Sequence, residues 1–342
     1  MPELEQIAPH REEPWASRQR TEHPIFRHVL ACVDMSHFSH VALAHAAAIA
    51  SATDARLTIL HVLEPSAGRA PMDPVEWMLR HNDVKAELRE HALRFGDLDA
   101  DIVVTDGQAA KCICAWARDN SVDLTVLGAV GESNWPAAGL GGTARRVAEA
   151  TNSSVLLVPW ADLGDGPVQY RRVMTPLDGS PRSECALPIA LAIAAAHSAE
   201  VVLVHAAPNI DLTETGPVEA KAIALRNKLR HRNEIVAEKY LKQVQSHLPH
   251  TQALTRTRVL ASGDPRHALA RAAVADHSDI IILSSTGLSG HPDLQVGSVA
   301  EYLINHADKP ILLVRGKECA PPQAHWRDGE AQAVRLPSRA LM

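Results

Sequence analysis

Apolar residues in this chain come in short unbroken runs, separated by longer stretches of mixed polarity. The runs Phe26–Val33, Leu57–Val62, Val155–Val158, Val173–Leu177, Val201–His205, Ile280–Leu283 and Ile311–Val314 are rich in Val, Leu and Ile. Unbroken runs of this length fit strands covered on both faces. Thr257–Ala261 reads as a further strand. Between the runs the spacing is helical. Ala42–Ala50 and Ser183–His197 are Ala-rich, Val218–His247 is long, Pro265–His277 opens on a proline suited to a first turn, and Ser298–His306 precedes the last run. Strand–helix alternation predicts an α/β fold: doubly wound units, each a five-stranded parallel sheet with helices on both faces.

The pattern occurs twice. Phe26–Asp34 is an apolar run ending in Asp, and Arg171–Asp178 repeats it 144 positions later; His61 and His205 keep the same offset. Beyond His205 the offset becomes 156, shared by Gly107 and Gly263, Asp123 and Asp279, Gly131 and Gly287, Gly141 and Gly297, and the runs Val155–Val158 and Ile311–Val314. Two constant offsets imply a tandem duplication with 12 extra residues between His205 and Gly263 of the second copy, where the long helix can absorb them. The expected organisation is a mobile tail (1–24), a first domain (25–163), a linker through 160–167, a second domain (168–316) and a C-terminal tail (317–342). Val155–Val158 and Ile311–Val314 are the natural edges, and their pairing would place the copies about a pseudo-twofold.

Composition agrees with this reading. A chain of 342 residues predicts two domains. Apolar residues at 46% and charged residues at 22% mark a globular chain, and a net charge of −6 argues against a nucleic-acid partner. Cys32, Cys112, Cys114, Cys185 and Cys319 are odd in number and scattered, so reduced thiols are expected. The first twenty residues lack an apolar targeting segment, and the longest apolar run, Cys185–Ala196, is interrupted by Pro188 and too short to span a bilayer. A cytoplasmic location without a membrane span is expected.

Ligands of open α/β sheets bind beyond the carboxyl ends of the strands. Three features collect there in each copy: the Asp ending the first strand (Asp34, Asp178), a glycine turn before the third helix (Gly107, Gly263), and a long loop after the fourth strand. That loop runs Gly128-Ala-Val-Gly131, nine residues, Gly141-Gly142-Thr143 in the first copy. In the second it runs Ser284-Ser-Thr-Gly287, nine residues, Gly297-Ser298-Val299. Each loop opens a helix, whose first N–H groups suit a phosphate, and glycine allows close approach or positive φ. Arg145 and Arg146 follow the first loop, as phosphate attractors or as a solvated charged face. The two aspartates could alternatively cap the helices that follow them.

These motifs, in this order in both copies, resemble the universal stress protein family. The resemblance implies the strand order 3-2-1-4-5 and an adenine nucleotide as ligand: ATP, with Mg2+ accompanying it, and AMP or ADP as variants. It implies that Asp34 and Asp178 contact adenosine. Gly107, Gly128, Gly131, Gly141, Gly142 and Thr143 would line the first site, and Gly263, Ser284, Gly287, Gly297, Ser298 and Val299 the second. The sequence departs from the family pattern at Gly142, which lacks a hydroxyl, and at Ser284, where a Cβ would be strained if φ is positive. The second copy, with its phosphate end complete, is the favoured site.

The resulting expectation is a non-catalytic, nucleotide-binding stress-response regulator acting on a protein partner, with whole-chain dimerisation compatible. A slow ATPase or nucleotidyl transferase and a nucleotide-free scaffold are the alternatives. No Gly-x-x-x-x-Gly-Lys loop, dinucleotide fingerprint or nucleophile elbow is present. No metal site is expected, because His37/His40 and His247/His250 lack further ligands nearby. Cys112 and Cys114 point to different faces of a helix and are expected to pack.

Overall fold

The computed structural model describes residues 25–36, 39–64, 73–93, 99–130, 139–159, 167–207, 220–249, 253–260, 263–287 and 296–315. Both expected tails, nearly all of the linker and Gly131 lie outside these residues.

The first half contains β1 (His28–Val33), α1 (Ser39–Thr53), β2 (Arg56–Leu63), α2 (Pro74–Leu93), β3 (Ala100–Asp106), α3 (Ala109–Asp119), β4 (Leu124–Gly128), α4 (Gly142–Ala150) and β5 (Ser154–Val158). The second half contains β6 (Arg172–Pro176), α5 (Pro181–Glu184), α6 (Leu187–His197), β7 (Glu200–Ala206), α7 (Ala220–His247), β8 (Leu254–Leu260), α8 (Pro265–Ala275), β9 (Ile280–Ser284), α9 (Ser298–His306) and β10 (Ile311–Val314). The single Ala-rich helix expected over Ser183–His197 is instead two helices. Pro188 cannot donate to the carbonyl of Glu184 and its ring would collide there, so the chain breaks at Cys185–Ala186.

All ten strands form one sheet, ordered β3-β2-β1-β4-β5-β10-β9-β6-β7-β8. Each half thus carries the order 3-2-1-4-5, and every pairing within a half is parallel. The one antiparallel pairing joins the halves, with Ile311 opposite Leu157, Leu312 opposite Leu156 and Leu313 opposite Val155. One sheet face is covered by a core that runs through both halves and includes Leu43, Ile49, Leu156, Leu187, Ile193 and Leu312. The other face carries two separate clusters, one per half, and Ile304 of α9 packs against both.

The repeated aspartates Asp123 and Asp279, just before β4 and β9, hold the start of the first strand of each half. Asp123 Oδ2 accepts the backbone N–H groups of Arg27 (2.8 Å) and His28 (3.0 Å), and Asp279 Oδ2 those of Arg171 (2.6 Å) and Arg172 (2.8 Å). Cys32, Cys112 and Cys114 are free thiols. Cys185 is disulfide-bonded, which corrects the expectation of reduced cysteines throughout. Among the described residues no helix is long and apolar enough to cross a membrane.

Candidate functional site

A cavity of about 540 Å³ opens at the carboxyl ends of β1 and β4 in the first half. Its wall includes Asp34, Ser36, Ser39, His61, Glu64, Gly128, Gly141, Gly142, Thr143 and Arg146. Its size is that of a small-molecule site. The structure therefore brings Asp34 together with Gly128, Gly141, Gly142 and Thr143, although these groups span more than a hundred residues of sequence.

Asp34 is exposed at one end. Its Oδ1 accepts hydrogen bonds from the Ser36 N–H (3.1 Å), the Ser36 hydroxyl (2.5 Å) and the Ser39 hydroxyl. Partial burial pushes its pKa up, but these hydrogen bonds outweigh that and hold it below the ordinary carboxylate value. Asp34 is therefore a carboxylate at neutral pH. The described bonds from serine all fall on Oδ1, so Oδ2 retains accepting capacity toward a hydroxyl or amine. The aspartates do not cap the following helices directly: in the second half the cap is Ser180, which accepts the Ser183 N–H and is itself held by Asp178.

His61 Nδ1 donates to the Val33 carbonyl at 2.8 Å, and His205 makes the same bond to Leu177 at 2.8 Å in the second half. Because a carbonyl only accepts, the proton is on Nδ1 in both rings. Glu64 Oε1 accepts the Ala109 N–H at 2.8 Å and so caps α3 beside the cavity. Gly107 makes the turn before it with φ +138, and a Cβ there would lie 2.7 Å from Cys112 Sγ. Gly107 is thus required by the turn rather than by the cavity wall.

At the other end lies the first turn of α4. The Gly141 N–H donates to the Ala129 carbonyl at 2.7 Å, tying the neck of the long loop, and the first intrahelical bond is Arg145 N–H to Gly141 O at 2.9 Å. Gly141 lines the cavity, but its N–H is committed to Ala129 and is not a donor for an anion. The N–H groups of Gly142, Thr143 and Ala144 remain without an intrahelical acceptor. Arg145 and Arg146 diverge: Arg146 lines the cavity, whereas Arg145 Nη2 donates to Asn305 Oδ1 at 3.4 Å. Among the described lining residues Arg146 is the one Arg or Lys.

The glycine conformations also differ from expectation. Positive φ occurs at Gly107, Gly139, Gly179 and Gly263, and not at Gly128, Gly141, Gly142, Gly287 or Gly297. The strain expected for Ser284 is therefore absent, and its hydroxyl instead donates to the Thr286 carbonyl at 2.8 Å. Among the described residues nothing lies within 4 Å of where a Gly142 Cβ would stand, so none of them demands glycine.

The second half repeats the neck, with the Gly297 N–H donating to Ser285 O at 2.7 Å. Asp178 Oδ1 accepts from the Ser180 N–H (2.9 Å) and hydroxyl (2.6 Å). Its Oδ2 lies so close to Gly287 that a Cβ there would overlap it. Asp178 thus reaches across from the end of β6 onto the loop after β9. Ser298 begins α9, while Val299 packs against the hydrophobic cluster beneath it, so Val299 can offer a ligand its backbone only. Gly263 makes its turn at φ +121, and Asp264 caps α8 through the Arg266 N–H at 2.9 Å.

Sequence reasoning did not place His61, Glu64, Ser36 or Ser39 at the site. His61, Ser36 and Ser39 carried a signal in their repeats at His205, Ser180 and Ser183; Glu64, which meets Pro208 at that offset, carried none. Among the described residues no group of three or more His, Cys, Asp or Glu could hold a metal ion.

The profile of the Universal stress protein family matches the chain twice, over residues 25–159 and 169–315. The chain is similar to the universal stress protein Rv2623 of Mycobacterium tuberculosis, 23% identical over 297 residues, covering 84% of this chain and 96% of that protein. A universal stress protein of Thermus aquaticus is 28% identical over 146 residues, covering 43% of this chain and 99% of its own. Among solved structures, a universal stress protein from Archaeoglobus fulgidus superposes with a TM-score of 0.57 at 15% identity, covering 84% of this chain and 96% of that one.

Proposed function

Because this chain belongs to the universal stress protein family, we propose that its first domain binds an adenine nucleotide, ATP foremost, in the cavity between Asp34 and the first turn of α4. The observation that carries this reading is the chemical polarity of that cavity. A carboxylate whose described serine bonds all fall on Oδ1 stands at one end, and three backbone N–H groups without an intrahelical acceptor and the Arg146 guanidinium stand at the other. A nucleoside phosphate has the complementary order, with hydroxyl and amine donors at one end and anionic oxygens at the other. Helix N-termini favour such anions through both hydrogen bonds and dipole. The residues present fit the nucleotide; Mg2+ would arrive with ATP, since among the described residues no group of three or more His, Cys, Asp or Glu could hold it.

The site reads as one for binding without turnover. Phosphoryl transfer requires groups placed on the γ-phosphate and a positioned nucleophile. Arg146 alone among the described lining side chains brings a fixed positive charge, and Glu64 is engaged with Ala109. Occupancy would instead favour the state of the cavity that binds nucleotide better, and a protein partner reading the surface around it would sense the change. Asp178 against Gly287 makes the second domain the less open of the two, which reverses the preference drawn from its motif alone.

Isothermal titration of the full chain with ATP, AMP and adenosine tests this. Saturable heat with ATP, weakened by Asp34→Ala and retained in Asp178→Ala, is the expected result. An absence of heat with all three ligands, together with an unchanged melting temperature in their presence, would defeat the proposal.

A further inference from the structure

The helix that forms the phosphate end of the first-domain cavity is held at both of its ends by the second domain. At the N-terminal end, Asn305 of α9 turns its side-chain oxygen toward the segment leading into α4. Oδ1 accepts from the Leu140 N–H at 3.4 Å and from Arg145 Nη2 at 3.4 Å. It sits over Gly139, whose φ is +103 and where a Cβ would lie 3.5 Å from Oδ1. The orientation of the amide is determined by its neighbours: Nδ2 donates to the Glu301 carbonyl at 2.7 Å, while Leu140 N and Arg145 can only donate. At the C-terminal end, Arg315, immediately beyond β10, donates from Nη1 to the Thr151 carbonyl at 2.7 Å and from Nη2 to the Ala148 carbonyl. Its backbone N–H bonds Ser154 Oγ at 3.1 Å. A guanidinium on the last carbonyls of a helix satisfies orphan acceptors and complements the dipole.

The arrangement is not reciprocal. The 156-residue offset of the repeat pairs Asn305 with Glu149 and Arg315 with Pro159. Pro159 has no donor. Among the described residues, no hydrogen bond or ion pair joins Glu149 to the second domain. The pseudo-twofold that relates the folds therefore does not relate these contacts.

We infer that the second domain is a positioning element for the first-domain ligand site: Asn305 and Arg315 hold α4 and its entry loop so that the N–H groups of Gly142, Thr143 and Ala144 stay aimed into the cavity, with no matching support in the opposite direction among the described residues. Asn305 and Arg315 are positioning residues, since neither lines the cavity. The inference rests on the nucleotide reading only for the identity of the ligand; the contacts of the clamp are made within the chain itself.

The test uses the full chain with Asn305→Leu, which removes the acceptor, and Asn305→Asp, which keeps it and adds charge toward Arg145. Two readouts are taken: hydrogen exchange of the 139–144 amides without ligand, and titration with ATP and with adenosine. Asn305→Leu is expected to speed exchange across 139–144 about tenfold, with core strands still protected. It is expected to weaken ATP by about 3- to 10-fold, the size of one or two modest hydrogen bonds, and to leave adenosine unchanged. Asn305→Asp is expected to stay close to wild type in both. Unchanged exchange in Asn305→Leu overturns the inference, as does an equal loss for ATP and adenosine. If the wild-type chain takes up no nucleotide, the function reading fails separately, and the exchange result alone decides the clamp.

Discussion

Leu312 lies directly opposite Leu156 in the β5–β10 ladder, and the two are the same position of the repeat, 156 residues apart. The pseudo-twofold therefore passes between them. Both are completely buried in the core that continues through both domains. Truncation of either leaves a cavity at the centre of one cooperative body, not inside one domain. Leu156→Ala and Leu312→Ala should each cost about 2–5 kcal/mol, similarly to one another, and the double variant should deviate from additivity because the sites touch. Calorimetry of the full chain should show one transition shifted in each variant. Two separating transitions would mean that the domains do not share this core.

Gly287 and Gly142 stand at related loops but differ in what a side chain would meet. At Gly287 a Cβ would overlap the Asp178 carboxylate, whereas at Gly142 it would meet nothing within 4 Å. Gly287→Ala should push Asp178 off the loop and destabilise the second domain by about 1–3 kcal/mol. Gly142→Ser copies Ser298 of the second half, removes a helix-weakening glycine and adds a hydroxyl beside the free N–H groups. It should leave stability equal or raised by about 0.5 kcal/mol, and tighten ATP binding. Parallel thermal melts and ATP titrations check both; a Gly142→Ser chain that binds ATP more weakly would argue against phosphate at this turn.

The doubled α/β pattern was legible because buried parallel strands are written as unbroken apolar runs and because the repeat supplied each run twice. The joining of Val155–Val158 to Ile311–Val314 followed from the need to cover apolar edges. What stayed hidden depended on three-dimensional neighbours. The role of Gly287 is set by Asp178, more than a hundred residues away, and the commitment of the Gly141 N–H is set by Ala129 across the loop neck. Arg145 and Arg146 are adjacent and identical in type, yet only helix phase and the position of Asn305 decide that one faces the cavity and the other the second domain. The break at Cys185–Ala186 was legible in Pro188, whose consequence for the preceding turn was not carried through.

His45 of α1 supplies one source of pH dependence. It is buried between the domains, with Nδ1 sharing a hydrogen bond with the Tyr170 hydroxyl at 2.8 Å, and His197 at the end of α6 meets the same ring edge-on at 4.9 Å. Burial lowers His45 from 6.5 to about 4. It lowers His197 too, against a hydrogen bond to the Ala48 backbone that raises it. Burial drives the Tyr170 hydroxyl upward, so it stays neutral. A histidine with a depressed folded pKa is neutral in the fold and protonated once unfolded at mildly acid pH, so the unfolded chain binds more protons. Stability should therefore be level above 6.5 and fall as the pH drops toward about 4, by about 3 kcal/mol from His45. His45→Gln should flatten this slope in urea melts taken across the window. A slope unchanged by the substitution would place the acid sensitivity elsewhere.

Arg146 carries the last prediction. It is the cavity's one described Arg or Lys, and the repeat places Tyr302 at its position in the second half. In that half Tyr302 is already engaged, its hydroxyl 2.7 Å from His267 Nδ1. Arg146→Tyr therefore converts the first site to the second-site residue and removes a charge without disturbing the buried side of α4, which is formed by Ala144, Val147 and Ala148. If Arg146 meets phosphate, the loss should grow with the number of anionic oxygens: little for adenosine, moderate for AMP, and about 3- to 30-fold for ATP, the scale of a charge-assisted hydrogen bond. The salt dependence should shrink in the variant as well, since an exposed ion pair is screened and its removal leaves less to screen. Titrations of the three ligands at low and high salt separate this from a general loss of the site, which would weaken adenosine as much as ATP and leave the salt dependence where it was.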